Sequence, residues 1–287
     1  VLLTYRFDAD FLDIPSDIAL VAEGEGFYDI RFNGHQLKGS ENDWWIDRAF
    51  YKYPVSQYIK NGENIVEMRY IIKKPEQYLD VEKLFETVRN RHFYPIEPES
   101  VYICGSFDVV ARGEKSYSPD HITIHPSQIE KPFFITDAAK KKPAELTSQG
   151  LWFYRGQAEF TTEFEAPDCS YAELNIQNGF FTLAEVFING EFAGTLFKAP
   201  FRLSLKNKIK KGKNRINFRI YGHNRNLLGP HHHILGNPRF VGPSTFAGKK
   251  GFEDFISPQV VNDITWTDAY SFVPFGLGKA EITYFIE

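Results

Sequence analysis

The sequence predicts an all-β fold: two tandem antiparallel β-sandwich domains of jelly-roll type, with one short helix. Three observations carry this. One unit occurs twice: Ile59-Lys60-Asn61-Gly62-Glu63-Asn64 matches Ile209-Lys210-Lys211-Gly212-Lys213-Asn214, and an Asn-Gly pair stands upstream of each, Asn33-Gly34 and Asn189-Gly190. Apolar and polar residues alternate with period two along several stretches, which places one strand face on a core and the other in water. Aromatic residues make up 16% of the chain, with 27 Phe and 15 Tyr, and such side chains suit a pleated, half-buried surface.

The repeat sets the domain count. From Asn33 to Asn189 is 156 positions, the length of a domain, whereas solenoid and propeller repeats run ~20–50 residues. In the first copy, Tyr5, Phe7, Ala9 and Phe11 alternate with charged residues, and Asn33-Gly34 marks a hairpin of the type that needs positive φ at both central residues. Trp44-Trp45 falls in a polar segment read as a loop. Asn61-Gly62 opens the strand carrying Val66, Met68 and Tyr70. Leu84, Phe85 and Val88 stand at helical spacing, which predicts a short helix over 78–88. Val101-Tyr102-Ile103-Cys104 then reads as a buried strand.

A lysine-rich connection at 137–150 divides the chain into domains 1–140 and 141–287. In the second copy, Ala158, Phe160 and Phe164 alternate with polar residues, as do Ile216, Phe218 and Ile220. Between this last strand and the closing strands from Tyr270 runs a Gly- and Pro-rich stretch, 222–263, with little alternation. Loops longer than ~12–15 residues are uncommon in compact domains and are mostly functional or disordered; Phe240, Phe246, Phe252 and Phe255 argue against disorder here.

Composition excludes several functions. The net charge is −4 with signs intermixed, which argues against a nucleic-acid surface. No run of ~18 apolar residues predicts a membrane helix. P-loop, GxGxxG, GxSxG and CxxC patterns are absent, so nucleotide, serine-hydrolase and redox readings lack support. Cys104 and Cys169 read as two free thiols, which fits a reducing compartment without identifying one. The chain opens inside a strand-like segment without an initiator Met, which reads as a fragment or processed form.

The segment Glu185-Val186-Phe187-Ile188-Asn189-Gly190, followed by Gly194, Pro200-Phe201 and the Lys211-Gly212-Lys213-Asn214 turn, resembles the sugar-binding domain of family 2 glycoside hydrolases. Asn226-Leu227-Leu228-Gly229-Pro230-His231-His232, with Trp266-Thr267-Asp268-Ala269-Tyr270, resembles the C-terminal part of large bacterial proteins related to that family and to the α-L-rhamnosidases of family 106. The resemblance covers 150–287 well. The first copy is degenerate, with Trp44-Trp45 where the second has Thr195-Leu196. The resemblance implies a galactose-binding-like jelly roll in a non-catalytic, carbohydrate-binding or supporting role. The catalytic carboxylates would lie on a barrel domain of a parent glycoside hydrolase, which this chain would partner. The chain shows no βα alternation and no Asn-Glu pair like the one such barrels carry. Galactose-binding-like domains often hold a structural Ca²⁺, so the resemblance leaves room for one; the residues themselves imply no cofactor.

The candidate carbohydrate-binding residues are Trp44, Trp45, His223, Asn224, His231, His233, Trp266, Asp268 and Tyr270. An aromatic ring can stack on the C–H face of a sugar while Asn, Asp and His bond its hydroxyls. Trp152 is a further stacking candidate, and packing against a neighbouring domain is the other reading for Trp44, Trp45 and Trp266. In extended chain His231 and His233 point to one side, so His223, His231, His233 and Asp268 would form a metal centre if this chain were a hydrolase in its own right. Sugar contact and plain loop packing are the other readings of the histidines. Glu41 with Asp43, and Glu253 with Asp254, read as solvated charge or Ca²⁺ ligands rather than an acid/base pair, which must face each other across a site. The basic run from Lys206 to Lys213 reads as a solvated face. A purely structural module is the rival to sugar binding.

Overall fold

The computed structural model describes residues 1–23, 27–39, 42–71, 100–126, 131–246 and 265–286. The helix expected over 78–88 lies outside these residues, as does the 222–263 loop from residue 247 onward. The described residues are all-β apart from short helical turns. The chain divides into two compact units: Val1–Val110 with Phe133–Ala138, and Ala111–Pro132 with Ala139–Glu287. Residues 111–132, which precede the connection read as the divide, cluster with the second unit.

The first unit begins with β1 (Leu2–Asp10), β2 (Ala19–Glu23), β3 (Phe27–Phe32), β4 (His35–Gln36), β5 (Trp44–Trp45), β6 (Asp47–Pro54), β7 (Gly62–Tyr70), β8 (Tyr102–Cys104) and β9 (Phe107–Ala111). The chain then crosses to the second unit for the hairpin β10 (Glu114–Tyr117) and β11 (Ile122–His125). It returns as β12 (Phe133–Asp137). One sheet has the order β4-β3-β7-β1-β12-β9 and the other β5-β6-β2-β8. Alternation works as expected: Val66 and Met68 of β7 are buried while Glu67 and Arg69 turn away from the core. Ala9, Phe32, Val66 and Met68 from the first sheet meet Leu20, Ala22 and Tyr53 from the second in one core.

Two expectations need correction. The sandwich was read as antiparallel throughout, yet β1 pairs with β12 in parallel, with Asp8 opposite Phe134 and Asp10 opposite Thr136. A parallel neighbour needs a long connection, and residues 11–132, which include eight strands of the same unit, supply it. Trp44-Trp45 is not loop but the short strand β5, paired with β6.

The second unit continues with β13 (Gln157–Ala166), β14 (Tyr171–Gln177), β15 (Leu183–Ile188), β16 (Glu191–Leu196), β17 (Phe201–Ser204) and β18 (Gly212–Tyr221). The helix α1 (Arg225–Leu228) follows, then β19 (Tyr270–Phe272) and β20 (Lys279–Phe285). Sheets β13-β18-β15-β16 and β17-β14-β20 share one core built from Leu174, Ile176, Val186, Ile188, Phe218 and Ile220. A third sheet, β10-β11-β19, buries Ile122, Ile124 and Phe272.

The doubled motif has the same hydrogen bonds in each unit. Asn33 and Gly34 have φ of 46° and 83°, and Asn189 and Gly190 have 53° and 87°, as this hairpin turn requires. The side chain of Asn33 donates to Oδ1 of Asn64 at 2.8 Å and accepts the Ile65 N–H at 2.8 Å. The side chain of Asn189 likewise donates to Oδ1 of Asn214 at 3.0 Å and accepts the Arg215 N–H at 3.0 Å. Asn64 and Asn214 are 0% and 2% exposed. Asn64 closes its own turn through the Lys60 N–H and the carbonyls of Lys60 and Gly62. Asn214 does the same with Lys210 and Gly212.

Truncating such an amide strands several buried partners, and each stranded partner costs about 1–3 kcal/mol. Asn214→Ala should therefore destabilise the protein by about 3 kcal/mol in urea titration. A midpoint within error of the wild type would show that the amide is dispensable.

Candidate functional site

The strongest constellation lies in the second unit, where the chain after α1 meets the approach to β19. His233 and Trp266 form an isolated antiparallel bridge. Around it, Ile234 N–H donates to the Thr265 carbonyl at 2.7 Å, Thr267 N–H to that of His232 at 2.8 Å, and Ser271 N–H to that of His231 at 2.7 Å. Residues 231–234 therefore line the chain that carries Trp266, Asp268 and Tyr270. Asn226, 0% exposed, holds this arrangement from below. Its amide donates to the Val273 carbonyl and accepts the Val273 N–H, both at 2.8 Å, and its own carbonyl lies 2.8 Å from His231 Nε2.

The three consecutive histidines go to different places. His231 packs its ring against Phe153 and Phe272, with centroids 5.5 and 5.3 Å away. Burial pushes its pKa down to about 4. His233 is buried, and its Nδ1 accepts the Leu235 N–H at 3.1 Å; burial lowers its pKa as well. His232 stacks on Trp266 at 4.2 Å and 19°, meets Tyr270 edge-on at 4.2 Å, and brings Nδ1 to 3.2 Å from the Thr267 carbonyl. Trp266 Nε1 donates to Asp268 at 3.4 Å. Burial, then the Asp268 charge, raises the pKa of Tyr270. The result is a half-buried indole and phenol with an imidazole and an exposed carboxylate beside them.

The structure thus joins Trp266, Asp268 and Tyr270, but through His232, which the sequence reading passed over. Alternation in extended chain pointed to His231 and His233 as the pair sharing a side. In fact both turn into packed surroundings and His232 reaches the aromatic group. The only available signal was that same alternation read with the opposite face outward. Among the described residues no group of three or more His, Cys, Asp or Glu is placed to hold a metal ion. Glu41, Glu253 and Asp254 lie outside the described residues, and Asp43 pairs with Lys52 at 3.3 Å.

The other candidates separate. Asn224 is exposed and accepts a hydrogen bond from Arg155 Nε at 2.7 Å. Burial lowers the pKa of His223, with the nearby Pro274 carbonyl opposing it; neither ring nitrogen reaches hydrogen-bond geometry. Trp152 is 1% exposed and tilted against Phe272 at 5.2 Å, so it is core and not a stacking platform. In the first unit Trp44 is 44% exposed while Trp45 packs on Tyr102 at 5.3 Å. Ile46 beside them has φ of 65°, a rare conformation for a β-branched residue. Cys104 and Cys169 are free, and burial pushes the Cys104 thiol up to about 11, far from a reactive thiolate.

Arg225 was not singled out by the sequence, and nothing in its neighbourhood pattern marks it. Its Nη2 donates to the Gly236 carbonyl at 2.9 Å, while Nε and Nη1 are buried without an acceptor. Burial lowers its pKa to about 10, so it remains charged at neutral pH. The His121 side chain stands close to the same turn, where a Cβ on Gly236 would collide with its ring.

No protein-family model matches the chain. A protein of Formosa agariphila named "Putative beta-glucuronidase" is 26% identical over 127 residues, which is 43% of this chain and 10% of that protein. The chain therefore spans about a tenth of the length of the curated relative it matches. Over that stretch the chain is similar to a glycoside hydrolase. Among solved structures, a GH2 β-galacturonidase from Eisenbergiella tayi has 22% identity and a TM-score of 0.25, covering 41% of this chain and 18% of that one. A rhamnosidase from Novosphingobium sp. PP1Y has 14% identity and a TM-score of 0.33, covering 97% and 24%.

The lowered pKa of His231 predicts a pH dependence. A base whose pKa falls from 6.5 when unfolded to about 4 when folded stabilises the fold fully above pH 6.5. That stability is lost as pH drops toward 4, up to about 3 kcal/mol for this shift. His223 and His233 shift in the same direction. Urea unfolding at pH 7.5, 5.5 and 4.5 should show the decline, and His231→Gln should flatten it. An equal slope in both proteins would remove His231 from the account.

Proposed function

We propose that this chain is a non-catalytic, carbohydrate-binding accessory region of a glycoside-hydrolase-like protein, made of two galactose-binding-like jelly-roll sandwiches. The observation that carries the reading is the cluster of Trp266, His232, Tyr270 and Asp268. A half-buried indole suits the C–H face of a pyranose, and the imidazole, phenol and carboxylate around it suit hydroxyls. The name of the Formosa agariphila relative points to the same substrate class. In this reading the partner is a catalytic domain of the parent protein.

A second reading is an interaction module without a ligand. Phe240 and Leu235, 82% and 67% exposed, favour it, since exposed apolar side chains suit a protein partner when they gather. Sugar titration separates the two. Millimolar galactose or rhamnose should shift the tryptophan emission, and Trp266→Ala should abolish the shift. If emission does not move with any neutral or acidic sugar, the interaction module is the better account.

A further inference from the structure

The Arg225 guanidinium is the one cation among the described residues with two buried nitrogens, Nε and Nη1, that lack hydrogen-bond partners. Burying a cation without a counter-charge is among the costliest arrangements a fold can hold. Desolvation accounts for its lowered pKa, with no carboxylate among the described residues contributing. Its charge is felt by His223, His231 and His233, each of whose pKa values it lowers. Among the described residues its charged neighbourhood is therefore made of imidazoles held neutral, not of acids. A guanidinium has five N–H donors. Those on Nε and both on Nη1 point at nothing that accepts them. A trapped water could accept a hydrogen bond but could not neutralise the charge.

Three facts place this group near the surface. Arg225 itself stays partly exposed, and Asn224 and Leu228 beside it are exposed. His223, two residues earlier, also has both ring nitrogens buried without hydrogen bonds. A neutral imidazole offers one N–H and one acceptor, so Arg225 and His223 together present a cation and a further donor.

We propose that Arg225 seats a carboxylate brought by a ligand from outside the chain, and that an acidic sugar carries it. The sugar half of this rests on the carbohydrate reading above; the carboxylate half does not. A single carboxylate balances a single guanidinium and matches its planar donor geometry. The neutral histidines add no second positive charge that would call for a dianion.

The test uses the whole chain with galacturonate, galactose, acetate and chloride at matched ionic strength. Thermal unfolding and tryptophan emission are followed for wild type, Arg225→Met and Arg225→Lys. Galacturonate should raise the melting temperature by several degrees and bind at least tenfold more tightly than galactose, which has a hydroxymethyl group in place of the carboxylate. Acetate should stabilise weakly and chloride not at all. Arg225→Met should lose the preference for galacturonate while keeping any emission shift caused by galactose; Arg225→Lys, which keeps charge without the planar fork, should retain part of it. Equal effects of galacturonate and galactose on the wild type would overturn the carboxylate site and leave carbohydrate binding standing. Equal stabilisation by acetate and galacturonate, without any emission shift, would keep the carboxylate site and overturn its sugar source. If no carboxylate stabilises the wild type, the inference fails whatever the variants do.

Discussion

Each unit is organised around a contact between two asparagines. Asn33 to Asn64 and Asn189 to Asn214 join the tip of one hairpin to the start of the strand beside it. The constraint is local and severe. An Asn-Gly hairpin needs positive φ, which leaves backbone groups at its tip without ladder partners. A buried amide can satisfy both a donor and an acceptor at once, which no aliphatic residue can. The central strands β7 and β18 begin at these amides, and β1, β3, β13 and β15 take their register from those strands.

The candidate site follows the same logic at a different place. Asn226 binds Val273 on both backbone groups and receives His231 on its carbonyl. It thereby fixes the short segment of histidines against the strand-like run that carries Trp266. The aromatic group at the surface is thus held by backbone pairing beneath it. Its rings also hold one another, His232 lying on Trp266 and against Tyr270, and both Trp266 and Tyr270 stay half-buried.

Much of the fold was legible in the sequence for physical reasons. Period-two alternation marked β1, β7, β13 and β18, because strands with one solvated face must alternate. The Asn-Gly and Lys-x-Gly-x-Asn patterns marked the turns, because few residues tolerate those φ angles. The parallel β1–β12 pairing was not legible, since register between distant segments leaves no local mark. The strand β5 was missed because its flanks are polar and two residues show no period. Within the site, Trp266, Asp268 and Tyr270 were legible as residue types. The roles of His231 and His232 were not: in three identical neighbours, composition carries no information about which one faces the core. Arg225 left no trace either, because an absent partner is a property of three-dimensional surroundings.

The excursion of residues 111–132 bears on how this chain can be divided. The first unit is closed by β12, which the chain reaches only after laying β10 and β11 in the second unit. Segments of the two units therefore alternate along the sequence. A fragment ending at residue 140 would carry β11 away from β19, uncovering Ile122 and Ile124 opposite Phe272 and Tyr270. The remaining piece would keep Trp266 and the histidines but lose the strand that pairs with β19. No single cut frees both units intact, so an insertion, loss or exchange of one unit in evolution or in the laboratory has to act on two chain segments together.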